Sequence, residues 1–313
     1  MILISSDVND QSTNDVIDWL KKYKYHFIRI NKEDVSEIDL KFGFISIMIG
    51  KFSVKLDDIS FYWYRKGHIG IKRFINSQMQ YHEPYLHNEN KVLNEYINYN
   101  LSKNSLGDYY NSEPNKLIIL DIAQKCGLKI PESFIIDNKK ELLEVLHFKK
   151  LITKVITASG KFYFNDSLGG LIFTNEVTGE FLKDVPDFFY PSFFQEMVEK
   201  KYEIRSFILG KKIWSMAIFS QSEEYTKVDF RKDNNQLFLR RVPVNLPLDI
   251  EDKIFKLFKE LKLKTGSVDI IVSKRNEYYF LELNPVGQFG MVSFACNYNI
   301  EEEITRYLIR NGK

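Results

Sequence analysis

The residues best placed to do chemistry lie near the C-terminus, in GSVDIIVSKRNEYYFLELNP, residues 266–285. The stretch reads as two strands joined by a tight turn at Arg275-Asn276. With a two-residue hairpin loop there, Asp269 stands directly across from Glu282, and opposed residues on antiparallel strands share a face with Cβ atoms about 5 Å apart. Asn284 shares that face because strand side chains alternate. Val268, Ile270, Val272, Leu281 and Leu283 fall on the opposite face and make an apolar stripe suited to a core. Two carboxylates and an amide converging on one face repel unless something positive lies between them. An oxygen-only donor set favours Mg²⁺, which completes its shell with substrate phosphates. The plain alternative is a surface hairpin with solvated acids. Leu-Glu-Leu-Asn-Pro argues against it, because the acid sits between buried positions where an unpaired charge is costly.

The elements that must hold this hairpin are strands and helices in mixed order. The chain has 313 residues, 44% hydrophobic and 27% charged, with a net charge of +2. That is enough for two or three lobes with real cores, and the charge balance implies no nucleic-acid partner. The N-terminus turns polar after four apolar residues, which is too short for a signal peptide or a membrane span. Cys126 and Cys296 give no disulfide framework and no metal spacing, so a reducing cytoplasm is the simplest setting. The five histidines show no ligand spacing, and no Ser-His-Asp or Cys-His arrangement stands out.

MILIS reads as a buried strand, and Ser12–Asn14 can cap a helix from Asp15 to about Tyr23 that turns Val16, Ile17, Trp19 and Leu20 inward. HFIRI, FISIMIG, KFSVKL and SFYWYR are further strands, and 85–102 is a helix. The turn-rich run GDYYNSEPNK, 107–116, marks a domain boundary. Beyond it come a helix in NKLIILDIAQKCG, a strand in KIPESFIID, a helix over 138–148 and a strand in KLITKVI. The turn TASGK follows, flanked by FYF and GGLIF. PSFFQEMVE, the hairpin EIRSFILG/KKIWSMAIF, LFLRRVPV and a helix from Asp249 to Leu261 lead to the carboxylate hairpin, and a helix from about Glu301 to Arg310 ends the chain.

This order of elements resembles an ATP-grasp ligase. The resemblance covers roughly residues 114–313, through NKLIILDIAQKCGLKIPESFIID, a strand with a lysine, QEMV, EIR and LELNP. The implied fold is α/β with α+β lobes: a pre-ATP-grasp domain over 1–113, a central lobe over 114–190 and a C-terminal lobe over 191–313. FYWYRKG, 61–67, is similar to the WYRR-type strand end of the graspetide, or microviridin-type, synthetases, which macrocyclise ribosomal peptides. GQFGMVSFACNYNIEEEI resembles the grasp-with-spasm peptide maturase branch, which implies a radical SAM protein with a SPASM domain encoded nearby. The family's chemistry is ATP-driven: a peptide Asp or Glu carboxylate becomes an acylphosphate, and a Ser or Thr hydroxyl or a Lys amine displaces phosphate to give an ester or an amide.

The resemblance assigns roles residue by residue. Lys154, at the end of KLITKVI, and Lys116, opening the NKLIIL helix, would face the nucleotide; each is otherwise a solvated lysine. Gly160, the only glycine of TASGK, falls in the phosphate flap, although the loop could be an ordinary turn. Gln195, Glu196, Met197 and Val198 match the adenine hinge, which is otherwise a strand end. Glu203 matches an acid that binds ribose hydroxyls or positions Arg205. Arg205 in EIR and Arg231 in DFR suit phosphate and the substrate carboxylate. Arg240 and Arg241 point to opposite faces, so at most one, taken as Arg241, reaches the site; a surface salt bridge is the alternative for each arginine. Arg65 ends a strand whose Tyr62, Trp63 and Tyr64 pack the core. Asp269, Glu282 and Asn284 would hold Mg²⁺.

The implied partner is a precursor peptide with a leader, docking around Lys139–Glu180, where Phe162, Tyr163, Phe164 and Phe173 cluster; packing beneath the adenine is the alternative for those rings. A homodimer is compatible with the family. Two rivals share the site: a ligase for free amino acids or a protein C-terminus, which WYRKG argues against, and a non-catalytic binding module, which intact Asp269, Glu282, Asn284 and Lys154 argue against.

Overall fold

The computed structural model describes residues 1–50, 52–71, 83–157, 161–165, 168–171, 174–220 and 239–313, with the side chains of 35, 36, 83, 84, 161–165 and 168–171 outside the description. The chain divides into two compact units, one of Met1–Ser112, Leu263–Gly266 and Pro285–Lys313, the other of Glu113–Lys262 and Ser267–Asn284.

The first unit opens with β1 (Ile2–Ser6), α1 (Gln11–Lys22), β2 (Phe27–Asn31), β3 (Val35–Lys41), β4 (Phe44–Ile49), β5 (Phe52–Lys55), β6 (Phe61–Tyr64), β7 (Gly70–Ile71), α2 (Glu83–Leu101) and β8 (Ser105–Leu106). Strands β2-β1-β6-β8 form a parallel sheet. Its central strands β1 and β6 are buried throughout, as in a parallel sheet covered on both faces, with Ile2, Leu3, Ile4, Phe61, Tyr62, Trp63 and Tyr64 in the core. A second sheet runs β5-β4-β3-β7. Its β3, VSEIDLK, missing from the expected elements, alternates Glu37, Asp39 and Lys41 with Ile38 and Leu40, which pack partly buried against the core. Helix α1 begins at Gln11, four residues before the expected Asp15, with Asp10 as its N-cap residue. Val16, Ile17 and Leu20 are buried, but Trp19 sits at the rim, stacked on Tyr23 and beneath the Lys22 amine. Gly107 is one glycine the fold demands: its φ is +79°, and a Cβ there would lie 2.2 Å from the Tyr64 carbonyl oxygen.

The second unit contains α3 (Lys116–Lys125), β9 (Ser133–Asn138), α4 (Lys139–Leu146), β10 (Leu151–Thr153), β11 (Lys161–Asn165), β12 (Leu168–Leu171), β13 (Asn175–Glu176), α5 (Gly179–Lys183), β14 (Phe188–Glu196), β15 (Lys200–Leu209), β16 (Lys212–Phe219), β17 (Arg240–Val244), α6 (Leu248–Glu260), β18 (Thr265–Ser273, its first two residues in the first unit) and β19 (Tyr278–Asn284). Strands β13-β10-β14-β9 form one sheet, β11-β12 a hairpin, and β17-β16-β15-β18-β19 a five-stranded sheet. Under the first of these, α4 and α5 cover Ile136, Leu142, Leu151, Val177 and Phe194. Helix α6 buries Ile250, Ile254, Leu257 and Phe258 at helical spacing.

The chain then re-enters the first unit as α7 (Gly290–Cys296) and α8 (Ile300–Asn311). Helix α8 packs on α1, where the Thr305 hydroxyl donates to the Val16 carbonyl at 3.3 Å. No helix among the described residues is long and apolar enough to cross a membrane.

Candidate active site

The β18–β19 hairpin places Asp269 opposite Glu282 and Ser267 opposite Asn284. The route to that register differs from a two-residue turn at Arg275-Asn276. Ser273 N–H donates to the Glu277 carbonyl at 2.9 Å, so Lys274-Arg275-Asn276 forms a three-residue loop, closed by Asn276 in the left-handed region at φ 60°. The Ser273 hydroxyl oxygen accepts from the Arg275 and Glu277 N–H groups. The longer loop shifts the pairing by one: Ile270 faces Phe280, Ile271 faces Tyr279 and Val272 faces Tyr278. An irregularity between Asp269 and Ile270 in the pairing then shifts it back, with Leu281 as the extra residue of a β-bulge. One consequence corrects the expected core stripe. Phe280 is buried with Val268, Ile270, Val272 and Leu283, while Leu281 is only half-buried.

Each carboxylate has a cation. Arg205 on β15 brings Nη1 to 3.2 and 3.1 Å from the two Asp269 oxygens. Its buried Nε has no hydrogen-bond partner among the described residues. Lys116, the first residue of α3, puts Nζ 3.8 Å from Glu282 Oε2. Asn115 fixes that helix start, its side-chain oxygen accepting from the Leu117 and Ile118 N–H groups at 2.9 and 3.2 Å. The side chains of Asp269 and Glu282 are 18% and 25% exposed, open enough for a ligand and screened enough for their charges to matter. No group of three or more His, Cys, Asp or Glu placed to hold a metal occurs among the described residues. The expected donors, two carboxylates and the Asn284 amide on the same face of the hairpin, offer oxygen only. That fits Mg²⁺, which rarely has an all-protein cage and takes substrate phosphates for the rest of its shell.

Two residues of the expected hinge, Glu196 and Met197, spend their N–H groups on neighbouring segments. Glu196 N–H donates to the Glu132 carbonyl and Met197 N–H to the Lys150 carbonyl, both at 2.8 Å. The Gln195 side chain is fully buried. Its Nε2 donates to the Ser133 hydroxyl at 2.9 Å, and its Oε1 has no described partner.

Glu203 is buried with Lys200, whose Nζ lies 2.5 Å from Oε1, and the Ser220 hydroxyl donates to the same oxygen at 3.0 Å. It shares the Arg205 face, but Arg205 is held by Asp269 rather than by Glu203. Lys200 is absent from the expected site; regular strand alternation would bring Lys201 rather than Lys200 to the Glu203 face, so the sequence carries no signal for it. Lys154 follows the short β10 and lies with Nζ 5.6 Å from the Phe193 ring centroid. Arg241 is exposed at the edge of the sheet. Cross-strand register, Glu203 to Ile218 to Arg241, puts it on the Glu203–Arg205 face. Arg240 takes the other face, 5.4 Å from the Phe219 ring. Gly160 and Arg231 lie outside the described residues, as does Phe173.

No protein-family model matches the sequence, and no curated protein does. Solved structures do. A Chryseobacterium gregarium RiPP-associated ATP-grasp ligase in complex with ADP and a leader and core peptide is 27% identical, with a TM-score of 0.85, covering 99% of this chain and 96% of that one. The macrocyclase MdnC from Microcystis aeruginosa, bound with precursor peptide MdnA, is 26% identical at a TM-score of 0.82, covering 99% of both. The ATP-grasp ligase PsnB, complexed with minimal precursor, Mg and ADP, shares the fold at 14% identity and a TM-score of 0.74, covering 99% of this chain and 98% of that one. The chain has the ATP-grasp fold, and these ligases match it over nearly all of the residues given.

Proposed function

We propose that the protein is an ATP- and Mg²⁺-dependent ligase that closes rings in a ribosomally made precursor peptide. The observation that carries this is the facing pair Asp269–Glu282, with Arg205 and Lys116 brought to it from β15 and α3, in a chain similar over its whole length to peptide-bound ATP-grasp ligases. Carboxylate and triphosphate are both anionic, so their reaction needs fixed positive charge. Asp269, Glu282 and Asn284 would hold Mg²⁺, which neutralises phosphate charge when bound. Lys116 and Lys154 face the phosphates, Val198 reads the base with its backbone beside Gln195, Glu196 and Met197, and Glu203 holds the ribose. Gly160 lies in the flap. Arg205, Arg231 and Arg241 grip phosphate and the reacting carboxylate. A substrate Asp or Glu oxygen attacks the γ-phosphorus and ADP leaves. A Ser or Thr hydroxyl, or a Lys amine, then attacks the acyl carbon, and phosphate departs with the carboxylate oxygen.

We divide the chain functionally into a pre-ATP-grasp domain (1–113), a central lobe (114–190) and a C-terminal lobe (191–313). The leader docks on the central lobe. Support comes from α4, where Lys140, Leu143, Glu144, His147 and Phe148 line an open groove of about 410 Å³ and Phe148 is 83% exposed. Remote binding there raises the effective concentration of weak nucleophiles at the site. We assign a radical SAM/SPASM protein as the partner encoded nearby, a cytoplasmic setting in keeping with the free thiols Cys126 and Cys296, and a self-association compatible with a homodimer. The test is incubation with ATP, Mg²⁺ and the peptide of a neighbouring short gene. ADP release that depends on the peptide, with loss of one water per ring, supports the reading. ATP turnover with free amino acids alone contradicts it.

A further inference from the structure

Arg65 follows β6 directly and is 4% exposed, yet no nucleotide or metal role reaches it. Its guanidinium is spent within the first unit. Nε donates to Asp10 Oδ2 at 3.3 Å. Nη1 donates to the Val286 carbonyl at 2.5 Å and to the Gly287 carbonyl at 3.2 Å. The guanidinium carbon lies 5.3 Å from the Phe289 ring and 5.8 Å from the Trp63 ring. Asp10 is buried too, and its Oδ2 accepts from the Thr13 hydroxyl at 2.9 Å and the Ser6 hydroxyl at 3.4 Å. Nη2 is buried without a described partner.

Such a cluster is a poor device for stability alone. Burying two charges costs several kcal/mol per ion, and apolar residues of similar volume often serve the fold as well or better. What an apolar residue cannot do is fix two successive carbonyls. Arginine can, because its planar fork presents donors along different edges in fixed geometry. The carbonyls it holds belong to Val286 and Gly287, the second and third residues after Asn284. Pro285, Gly287 and Phe289 are all buried, so the loop has little other freedom.

We propose that Arg65 and Asp10 are positioning residues, clamping the loop Pro285–Phe289 and thereby fixing the chain immediately beyond Asn284 at the metal-bearing end of β19. The proposal rests on the Mg²⁺ role given to Asn284. Lysine at this position keeps the charge but has no fork, and cannot meet Asp10 and both carbonyls together.

The test compares wild type, Arg65→Lys and Asp10→Asn. Mn²⁺ binding in the presence of ADP is read by electron paramagnetic resonance, alongside circular dichroism, thermal melting and ring formation across a Mg²⁺ titration. Arg65→Lys is expected to remain folded and to keep the KM for ATP within about threefold at saturating Mg²⁺. Its Mn²⁺ affinity should fall about tenfold or more, with activity partly restored by excess Mg²⁺. Asp10→Asn should show the same change, smaller. Unchanged Mn²⁺ affinity in a folded Arg65→Lys overturns the proposal, and so does loss of folding in both variants, which would make the cluster structural only. Wild type that binds Mn²⁺ with ADP but joins no peptide overturns the ligase reading, while the affinity comparison still decides the clamp.

Discussion

At the scale of single residues, the site is a set of opposed charges held by different elements. Asp269 is bound by Arg205 from the next strand, and Glu282 by Lys116 from a helix start. Asp269→Asn or Glu282→Gln removes one negative charge with little change of volume. Each is expected to abolish ring formation while leaving the fold largely intact by circular dichroism, because charge is removed from the Mg²⁺ cradle without much change of volume. Full activity of both variants at ordinary Mg²⁺ would remove the metal assignment. Nucleotide binding and substrate capture should separate. Lys154→Ala is expected to weaken binding of a non-hydrolysable ATP analogue, read by calorimetry. Arg231→Ala should leave that affinity nearly normal and stop ring formation, read by product mass. An equal loss of nucleotide affinity in both would refute this division of labour.

At the scale of elements, the hairpin shows how register survives two local departures. A three-residue loop moves the pairing by one and the bulge at Leu281 moves it back, so Asp269 still meets Glu282. The alternating pattern of Asp269, Ile270, Val272, Glu282 and Leu283 made that pairing legible without the loop. It could not reveal the bulge, because Phe280-Leu281 is apolar at both positions and a period of two cannot say which is buried. The loop depends on Asn276, whose φ of 60° costs an ordinary L-residue about 1–2 kcal/mol. Asn276→Gly should leave the melting temperature nearly unchanged, and Asn276→Val should lower unfolding free energy by about that amount in urea titration. Equal stability of the two would mean that the loop is not held in this conformation. Helices α3, α4, α6 and α8 fall close to the expected spans, α6 through Ile254, Leu257 and Phe258 at helical spacing. Other elements were not legible, among them the two-residue strands β7, β8 and β13, too short for any period to show, and α7, a seven-residue helix in GMVSFAC with no first-turn acid or side-chain cap to announce it. The buried Lys200–Glu203 pair spans three residues on one strand, against the period of two, and left no mark that alternation could read.

At the scale of the whole molecule, acid should unfold the protein partly through one buried group. Burial alone would raise the Asp10 carboxyl, but the charges of Arg65 and Lys66 and the hydrogen bonds from Thr13 and Arg65 outweigh it and hold the pKa below the usual 3.8. A carboxyl with a depressed folded pKa stabilises the fold above its unfolded pKa, and that stability is lost as pH falls through the folded value. Asp10 should therefore contribute fully at neutral pH and progressively less below about pH 4. Urea midpoints measured against pH should show wild type losing part of its margin there, with Asp10→Asn less stable at neutral pH and flatter in acid. A parallel pair of curves would show that Asp10 does not carry this dependence.

The central claim is that a peptide side-chain carboxylate is activated by phosphate transfer before the ring closes. It is tested most directly by labelling the Asp and Glu side-chain carboxyls of the precursor with heavy oxygen, supplying ATP and Mg²⁺, and measuring by mass spectrometry both the peptide and the released phosphate. The account predicts one labelled oxygen in phosphate for every ring formed, ADP rather than AMP as the other product, and a peptide lighter by one water per ring. Ring formation with unlabelled phosphate, or phosphate release without any change in the peptide, would contradict it.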